Sequence, residues 1–465
     1  MKTRLIISMI ALFLLPLFAQ ATHLTGGYIS YSVDPQNPRK YNFVYTLYTN
    51  RASSADDPFI NFDMGDGNKV QANRKEVKQY SEQFDIKTFL WSYTYSANGN
   101  YTVSPVSQNR EHGIINVPAP SDQNSFVVHT NVQVDQSVKN KNGVKLASTP
   151  LFMAYAGEEM HHNLIAYDVD GDELTYDLVV PRTRIATGES IAIAGYTFPE
   201  GLTIDKFGEL RWEMPTTKGT HALAVKITEH RDGRVVGSTV VDFLLNVIDR
   251  TQQPRLNLVN QDRLTVNNDG SILARPAQPL KLEYFLQNAE GSTYALSAMQ
   301  FSDLDTLDLA SPVVAVRDSA NGKAVTLTFT PSAELTRPMH YTIGMRGQAG
   351  VAKAPITSDL PYNFDWSYTY LIIGEQQPTG LRDDLSKAGF ILYPNPIHDE
   401  FVIKAPDMPG MYLQLRDTNG RTVLRMKLQP GQNALVRPAS LSSGMYFYTI
   451  LSRYKPVGTG KLVVQ

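Results

Sequence analysis

The sequence contains no cysteine. A chain without thiols forms no disulfides, no thiolate zinc site and no cysteine nucleophile. Its folded units must be held by buried apolar surface, with metal ions as the remaining staple. The same absence excludes an acylated cysteine as a membrane anchor. Charge of one sign is lacking too. The 43 Lys and Arg stand against 45 Asp and Glu, giving a net charge of −2 at pH 7, with both signs mixed along the chain. No basic stripe points to nucleic acid, and no acidic block points to a solvated tail. After residue 21 there is no apolar run near the ~20 residues that a bilayer-spanning helix needs. Convincing helical periodicity is absent over the same stretch. So are the G-x-S-x-G elbow, the P-loop, G-x-G-x-x-G after a strand, and H-E-x-x-H. The chain is therefore expected to be non-enzymatic. A carboxylate pair for glycoside hydrolysis stays open as an alternative, because two acids need only converge in space.

What is present begins with an export signal. Lys2 and Arg4 precede an apolar run, Leu5 to Phe18, broken by Pro16, and Ala19-Gln20-Ala21 supplies a small-x-small cleavage site. Residues 1–21 are read as a signal peptide, so the mature chain is expected from Thr22 as a secreted or outer-membrane surface protein with no transmembrane segment. The 24 Tyr and 19 Phe sit largely in period-2 patterns. Leu223, Val225 and Ile227 alternate with Ala224, Lys226 and Thr228. Val325, Leu327 and Phe329 alternate with threonines. Each pattern turns one face of a strand to a core. Turn pairs such as Gly65-Asp66-Gly67, Asp232-Gly233, Asn268-Asp269-Gly270 and Asn419-Gly420 punctuate them. The expected fold class is all-β: tandem β-sandwiches at 22–136, 145–250 and 255–374, a linker at 375–389, and a small sandwich at 390–465. The polar stretch Val138 to Gly143 and the segment Thr251-Gln252-Gln253-Pro254 read as the intervening linkers.

Three stretches carry family resemblances. The segment 390–465 runs through Leu392-Tyr393-Pro394-Asn395-Pro396, Asp417-Thr418-Asn419-Gly420-Arg421, Leu441-Ser442-Ser443-Gly444-Met445-Tyr446 and Gly460-Lys461-Leu462-Val463-Val464. This order resembles the type A C-terminal sorting domain of the type IX secretion system, which implies that secretion machinery as a partner. His23-Leu24-Thr25-Gly26-Gly27-Tyr28 opens a second resemblance, and Asn42 to Tyr48 follows as a strand. Ala166 to Tyr176, Phe198 to Asp205, Gly208 to Trp212 and Val225 to Gly233 complete it. Together these resemble gliding-motility-associated surface proteins of Bacteroidetes and cadherin-like, putative Ig repeats. Phe62-Asp63-Met64-Gly65-Asp66-Gly67 and Trp91 to Val103 resemble the two halves of a PKD domain.

The strongest chemical signal is Asp168-x-Asp170-Gly171-Asp172. Alternating carboxylates around a glycine turn place hard oxygens on one side of a loop, as Ca²⁺ requires. The cadherin-like resemblance implies Ca²⁺ at matching acids, with Glu158 or Glu159 and Asp249 as completing ligands. The plainer alternative is a β-turn whose aspartates cap backbone amides. Asp63 and Asp66 read as turn residues, with metal ligation as the alternative. The adjacent His161 and His162 point to opposite faces of a strand, and both are expected at the surface. Trp91, Trp212 and Trp366 read as core or edge aromatics rather than a sugar platform. Asp305-Thr306-Leu307 and Asp318-Ser319-Ala320 resemble a short O-glycan acceptor motif of exported Bacteroidetes proteins. The expected function is a secreted or surface-displayed adhesin-like protein that binds a glycan or a protein. The alternative is a carbohydrate-binding accessory or an unrecognised glycan hydrolase.

Overall fold

The computed structural model describes residues 24–465 except 54, 81–82, 107, 136–139, 250–252, 268, 293, 307–311, 338, 351–363, 375–384, 386–388, 419–420, 439–440 and 453–454. The signal peptide, Thr22 and His23, Val138-Lys139, Thr251-Gln252, most of the 375–389 linker, Asn268, Leu307 and Asn419-Gly420 thus lie outside the described residues. The described residues are all-β and fall into two compact units, the first built mainly from residues before Arg255, the second mainly from those after Pro254. Among them no helix is long and apolar enough to cross a membrane.

The first unit opens with β1 (Leu24–Asp34), β2 (Asn37–Asn50), β3 (Phe59–Asp63), β4 (Lys69–Gln79), β5 (Phe84–Thr94), β6 (Gly99–Pro105) and β7 (Thr130–Val134). The strand expected at Asn42 to Tyr48 lies within β2. Its Tyr41, Phe43, Tyr45 and Leu47 are buried, while the residues between them are half-buried. Then follow β8 (Lys145–Leu146), β9 (Met153–Tyr155), β10 (Met160–Asn163), β11 (Ala166–Tyr167), β12 (Glu173–Leu178), β13 (Arg182–Arg184), β14 (Ser190–Ala192), β15 (Leu202–Ile204), β16 (Glu209–Trp212), β17 (Gly219–Arg231) and β18 (Arg234–Ile248).

Hydrogen bonding runs β1-β2-β5-β4-β3-β6-β7-β18 and returns from β18 to β1, where Gly26 faces Phe243 and Gly27 faces Asp242. Eight strands thereby close a ring filled by Ile29, Tyr31, Tyr41, Phe43, Tyr45, Phe62, Phe89, Trp91 and Val132. β7 and β1 lie end to end along one edge of β18, β7 at Gly237 to Thr239 and β1 at Asp242 and Phe243. The segments drawn in sequence as two sandwiches, 22–136 and 145–250, therefore share a sheet: β18 belongs to the second and completes the first. On its other edge β18 pairs with β17 along nearly its whole length, and β17 pairs with β12. Leu223, Val225 and Ile227 of β17 pack with Phe243 and Leu245 of β18, and with Leu202, Leu210, Trp212 and Met160 from the three-stranded sheet β10-β16-β15. That packing makes the second layer.

The second unit holds β19 (Arg255–Leu258), β20 (Ile272–Ala274), β21 (Leu280–Gln287), β22 (Ala295–Ser302), β23 (Val313–Ser319), β24 (Gly322–Phe329), β25 (Tyr341–Gly350) and β26 (Phe364–Ile373). These form two four-stranded sheets, β19-β21-β24-β23 and β20-β26-β25-β22. Tyr284 and Thr369 join the sheets through their hydroxyls at 2.9 Å. The last module comprises β27 (Ile391–Tyr393), β28 (Glu400–Ala405), β29 (Met411–Arg416), β30 (Thr422–Lys427), β31 (Gly431–Val436), β32 (Gly444–Ser452) and β33 (Lys455–Val464). Sheets β27-β28-β31 and β30-β29-β32-β33 enclose Phe401, Ile403, Leu413, Leu415, Ile450 and Leu462.

Candidate functional site

The acidic loop 168–172 connects β11 to β12. Gly171 takes a φ of 82°, a region that costs glycine little, and so allows the turn. The Asp172 N–H donates to Asp168 Oδ1 at 3.0 Å. The turn sends the side chains of Asp168 and Asp172 inward, and both residues are 3% exposed. Antiparallel pairing of β12 with β17 sets Leu174 opposite Glu229. Glu229 is wholly buried, and one carboxylate oxygen from each of Asp168, Asp172 and Glu229 lies within 4.8 Å of the others. Gly237, the β18 partner of Glu229, makes the room. A Cβ there would run into Glu229 Oε2 and come within 3.2 Å of Tyr31 Oη.

The three acids are satisfied unequally. Arg231 grips Asp172 at both oxygens, Nε to Oδ1 at 2.6 Å and Nη2 to Oδ2 at 2.7 Å. Asp168 Oδ2 and both Glu229 oxygens are buried with no hydrogen-bond partner. Asn140 adjoins Glu229, but its amide N–H groups are committed to Tyr31 Oη at 3.0 Å and Val236 O at 3.3 Å. Burial pushes the Glu229 carboxyl well above the usual range, and the charges of Asp168 and Asp172 push it further. Burial likewise raises Asp168, to about 6. The Asp172 amide opposes that shift, while the charges of Asp172 and Asp170 reinforce it. Orphaned buried carboxylate oxygens are costly, and an all-oxygen donor set is the kind a hard cation satisfies.

Of the residues named from sequence, the structure brings Asp168 and Asp172 together. It does not bring the others to them. Asp170 stands at the rim and accepts from the N–H groups of Lys141 (2.7 Å) and Asn142 (2.8 Å) and from Asn142 Nδ2 (3.0 Å). Those bonds pin the connector after residue 139 alongside β1, where Val33 N–H reaches Lys141 O at 2.7 Å. Glu159 lies 3.3 Å from His161 and 3.4 Å from Arg211. Asp249 is exposed and pairs with Lys218 at 2.9 Å. Glu229 escaped the sequence reading, yet it carries a signal. It continues the inward phase of Leu223, Val225 and Ile227, so an acid falls where a core residue is due.

The remaining marked residues also find places. Asp63 accepts from Gly65 N–H, and Asp66 from Asn68 N–H and the Tyr93 hydroxyl, as turn acids do. The expectation of two surface histidines needs correction. His162 is buried, and burial pushes it down to about 3. For His161 burial opposes the charge, but Glu159 and Glu209 outweigh it and raise the pKa to about 9. Trp91 is buried with its ring centroid 4.0 Å from that of Phe62. Trp212 is buried and donates to Glu200 O at 2.9 Å. Trp366 is partly buried and stacks on Tyr368 at 5.6 Å.

In the last module the motifs are held by side-chain hydrogen bonds. Asn395 donates from Nδ2 to Lys461 O at 2.7 Å and accepts from Val463 N–H at 2.9 Å, so the first motif holds the last strand. Asp417 accepts from Arg421 N–H at 2.9 Å. The Tyr446 hydroxyl donates to Ser442 O at 2.9 Å.

Residues 391–465 match the family described as the secretion system C-terminal sorting domain. The type IX sorting domain expected at 390–465 is thereby confirmed, and it marks a secreted or cell-surface protein. No curated protein matches the chain. Among solved structures, the human Desmocollin-1 ectodomain is 10% identical, with 78% of this chain and 74% of that one covered and a TM-score of 0.16. The BSP domain of a biofilm associated protein is 10% identical, with 95% and 96% covered and a TM-score of 0.16. The S-layer protein rSbsC(31-844) is 11% identical, with 92% and 65% covered and a TM-score of 0.14. At these TM-scores none of the three bears on function.

Proposed function

We propose that the type IX secretion machinery carries this chain across the outer membrane by its C-terminal domain, and that the remainder works outside the cell as a non-enzymatic, adhesin-like binding protein. The observation that carries the reading is the sorting-domain match over 391–465. That segment has a core of its own, built from Phe401, Ile403, Leu413, Leu415, Ile450 and Leu462. A module that completes its own core suits a detachable address label. Binding is favoured over turnover by the lack of a nucleophile, phosphate-loop or zinc-protease motif in the sequence. The three-acid group found among the described residues is buried and offers no surface to a glycan. The ligand class is a glycan or a protein at an extracellular surface.

The test is deletion of residues 391–465 in the native host, followed by fractionation and surface protease digestion. The truncated chain should accumulate in the periplasm. Its normal display outside the cell would refute the export reading. A glycan and matrix-protein array probed with the exported chain then tests binding, and signal-free arrays together with hydrolysis of a glycan would favour the enzymatic alternative.

A further inference from the structure

We infer that Asp168, Asp172 and Glu229 form a buried divalent-cation site, Ca²⁺ by its ligand chemistry, that ties the loop 168–172 to β17. The proposal stands apart from the surface-binding reading. Three carboxylates meet within 4.8 Å, and Arg231 answers one of their three negative charges. A divalent cation cancels the other two. Glu229 is the observation that separates this group from an ordinary acidic turn. It is wholly buried, it reaches the cluster from a different strand, and neither of its oxygens has a hydrogen-bond partner. Asp168 Oδ2 and the Oδ1 of buried Asn140 are likewise unpartnered. Burying an ionised carboxylate without compensation costs several kcal/mol.

The donor set selects among cations. Every donor is oxygen, and no imidazole or thiolate joins the group. That disfavours zinc and copper and suits Ca²⁺ or Mg²⁺. Ca²⁺ accepts six to eight oxygens in irregular arrangements. Mg²⁺ wants six in a strict octahedron and gives up its waters reluctantly. A closed pocket of bidentate-capable carboxylates and an amide oxygen favours the former. Asp170 is left out of the ligand set, because its oxygens already accept three N–H groups. Its work is to hold the connector around Asn140 to Asn142, which brings the Asn140 side chain beside Glu229.

The alternative occupant is a proton shared between Asp168 and Glu229. The full mature chain is melted in EDTA and in 5 mM CaCl₂, and titrated with TbCl₃ while exciting tyrosine, since Tyr31 lies beside Glu229. The cation site predicts a higher Tm in CaCl₂, with half-saturation at about 0.1–1 mM as in other extracellular modules, and sensitised Tb³⁺ emission that CaCl₂ displaces. Glu229→Gln should abolish the Tm shift and weaken Tb³⁺ binding at least tenfold. In EDTA it should melt at or above the parent, because the Gln amide can donate to Asp168. Should Glu229→Gln not fold, Asp168→Asn takes its place with the same expectations. Equal Tm values for the parent chain in the two buffers, or a full Ca²⁺ shift surviving in the variant, would overturn the site.

Discussion

Asp242→Asn should destabilise the first unit by about 3–5 kcal/mol, the cost of stranding one partner of a buried ion pair. Asp242 sits on β18 where the ring closes, opposite Gly27 of β1. Its carboxylate takes both arms of Arg110, with Nη1 to Oδ1 at 3.0 Å, and both side chains are 0% exposed. What would remain around the guanidinium is the Asn amide, Arg182 O at 3.3 Å and the Phe126 ring at 5.3 Å. None carries a compensating charge. A loss of that size is about a fifth or more of the 5–15 kcal/mol that typically holds a domain. The assay is urea unfolding followed by tryptophan fluorescence in a Trp366→Phe background, which leaves Trp91 and Trp212, both in the first unit. The slope with urea should stay constant while the midpoint falls. Because solvent does not reach the pair, 0.5 M NaCl should leave the difference unchanged, unlike a surface bridge. Arg110→Met combined with Asp242→Leu removes both charges and should be close to neutral. A single-variant cost below about 1 kcal/mol, or a double variant as unstable as the single, would refute the reasoning.

Four further outcomes follow from the same geometry. Burial holds His162 near 3 in the folded chain against 6.5 unfolded, so the unfolded state binds the extra proton and stability falls as pH drops below about 6.5; His162→Gln should shrink the loss between pH 6.5 and 5 by about 1.5 kcal/mol, read from urea midpoints at the two pH values. Gly65 has a φ of 81°, and a Cβ there would lie 2.8 Å from Thr102 O; Gly65→Ala should cost about 2 kcal/mol or more on the same fluorescence assay. Asn395→Ala removes the bonds to Lys461 O and Val463 N–H, about 1 kcal/mol each, so hydrogen exchange at the Val463 amide should speed up roughly tenfold. Ser319 ends the exposed strand β23 beside Asp318, whose side chain is 90% exposed; protein from the native host should carry added hexose mass that Ser319→Ala removes, and an unmodified intact mass would discard the acceptor motif.

Strand identity was legible because alternation is local. Leu223, Val225 and Ile227, or Leu282, Tyr284 and Leu286, declare their buried face within a few residues. Ring closure was not legible. The bridge from Gly26 to Phe243 spans more than two hundred residues, and a period of two is the same in an open sandwich and a closed ring. The site was half legible. Asp168-x-Asp170-Gly171-Asp172 marked the loop, but which oxygens turn inward is decided by the Asp172 N–H to Asp168 bond and by the amides that claim Asp170. The third acid came from a strand sixty residues away. The histidine pair shows the same limit: opposite faces were evident at 161 and 162, but not that one face would be sealed.

The double duty of β18 also says what can be inherited or transplanted. Tandem β-domains are often shuffled by recombination at the linkers between them. Here a crossover near residue 140 would part β1 and β7 from the strand that closes them, leaving two unpaired edges open to aggregation. It would equally rob the second layer of β18, onto which β17 and then β12 are laid. The smallest cassette that keeps these pairings therefore runs from Leu24 through Ile248, and a cut in the polar stretch that looks like a linker breaks them.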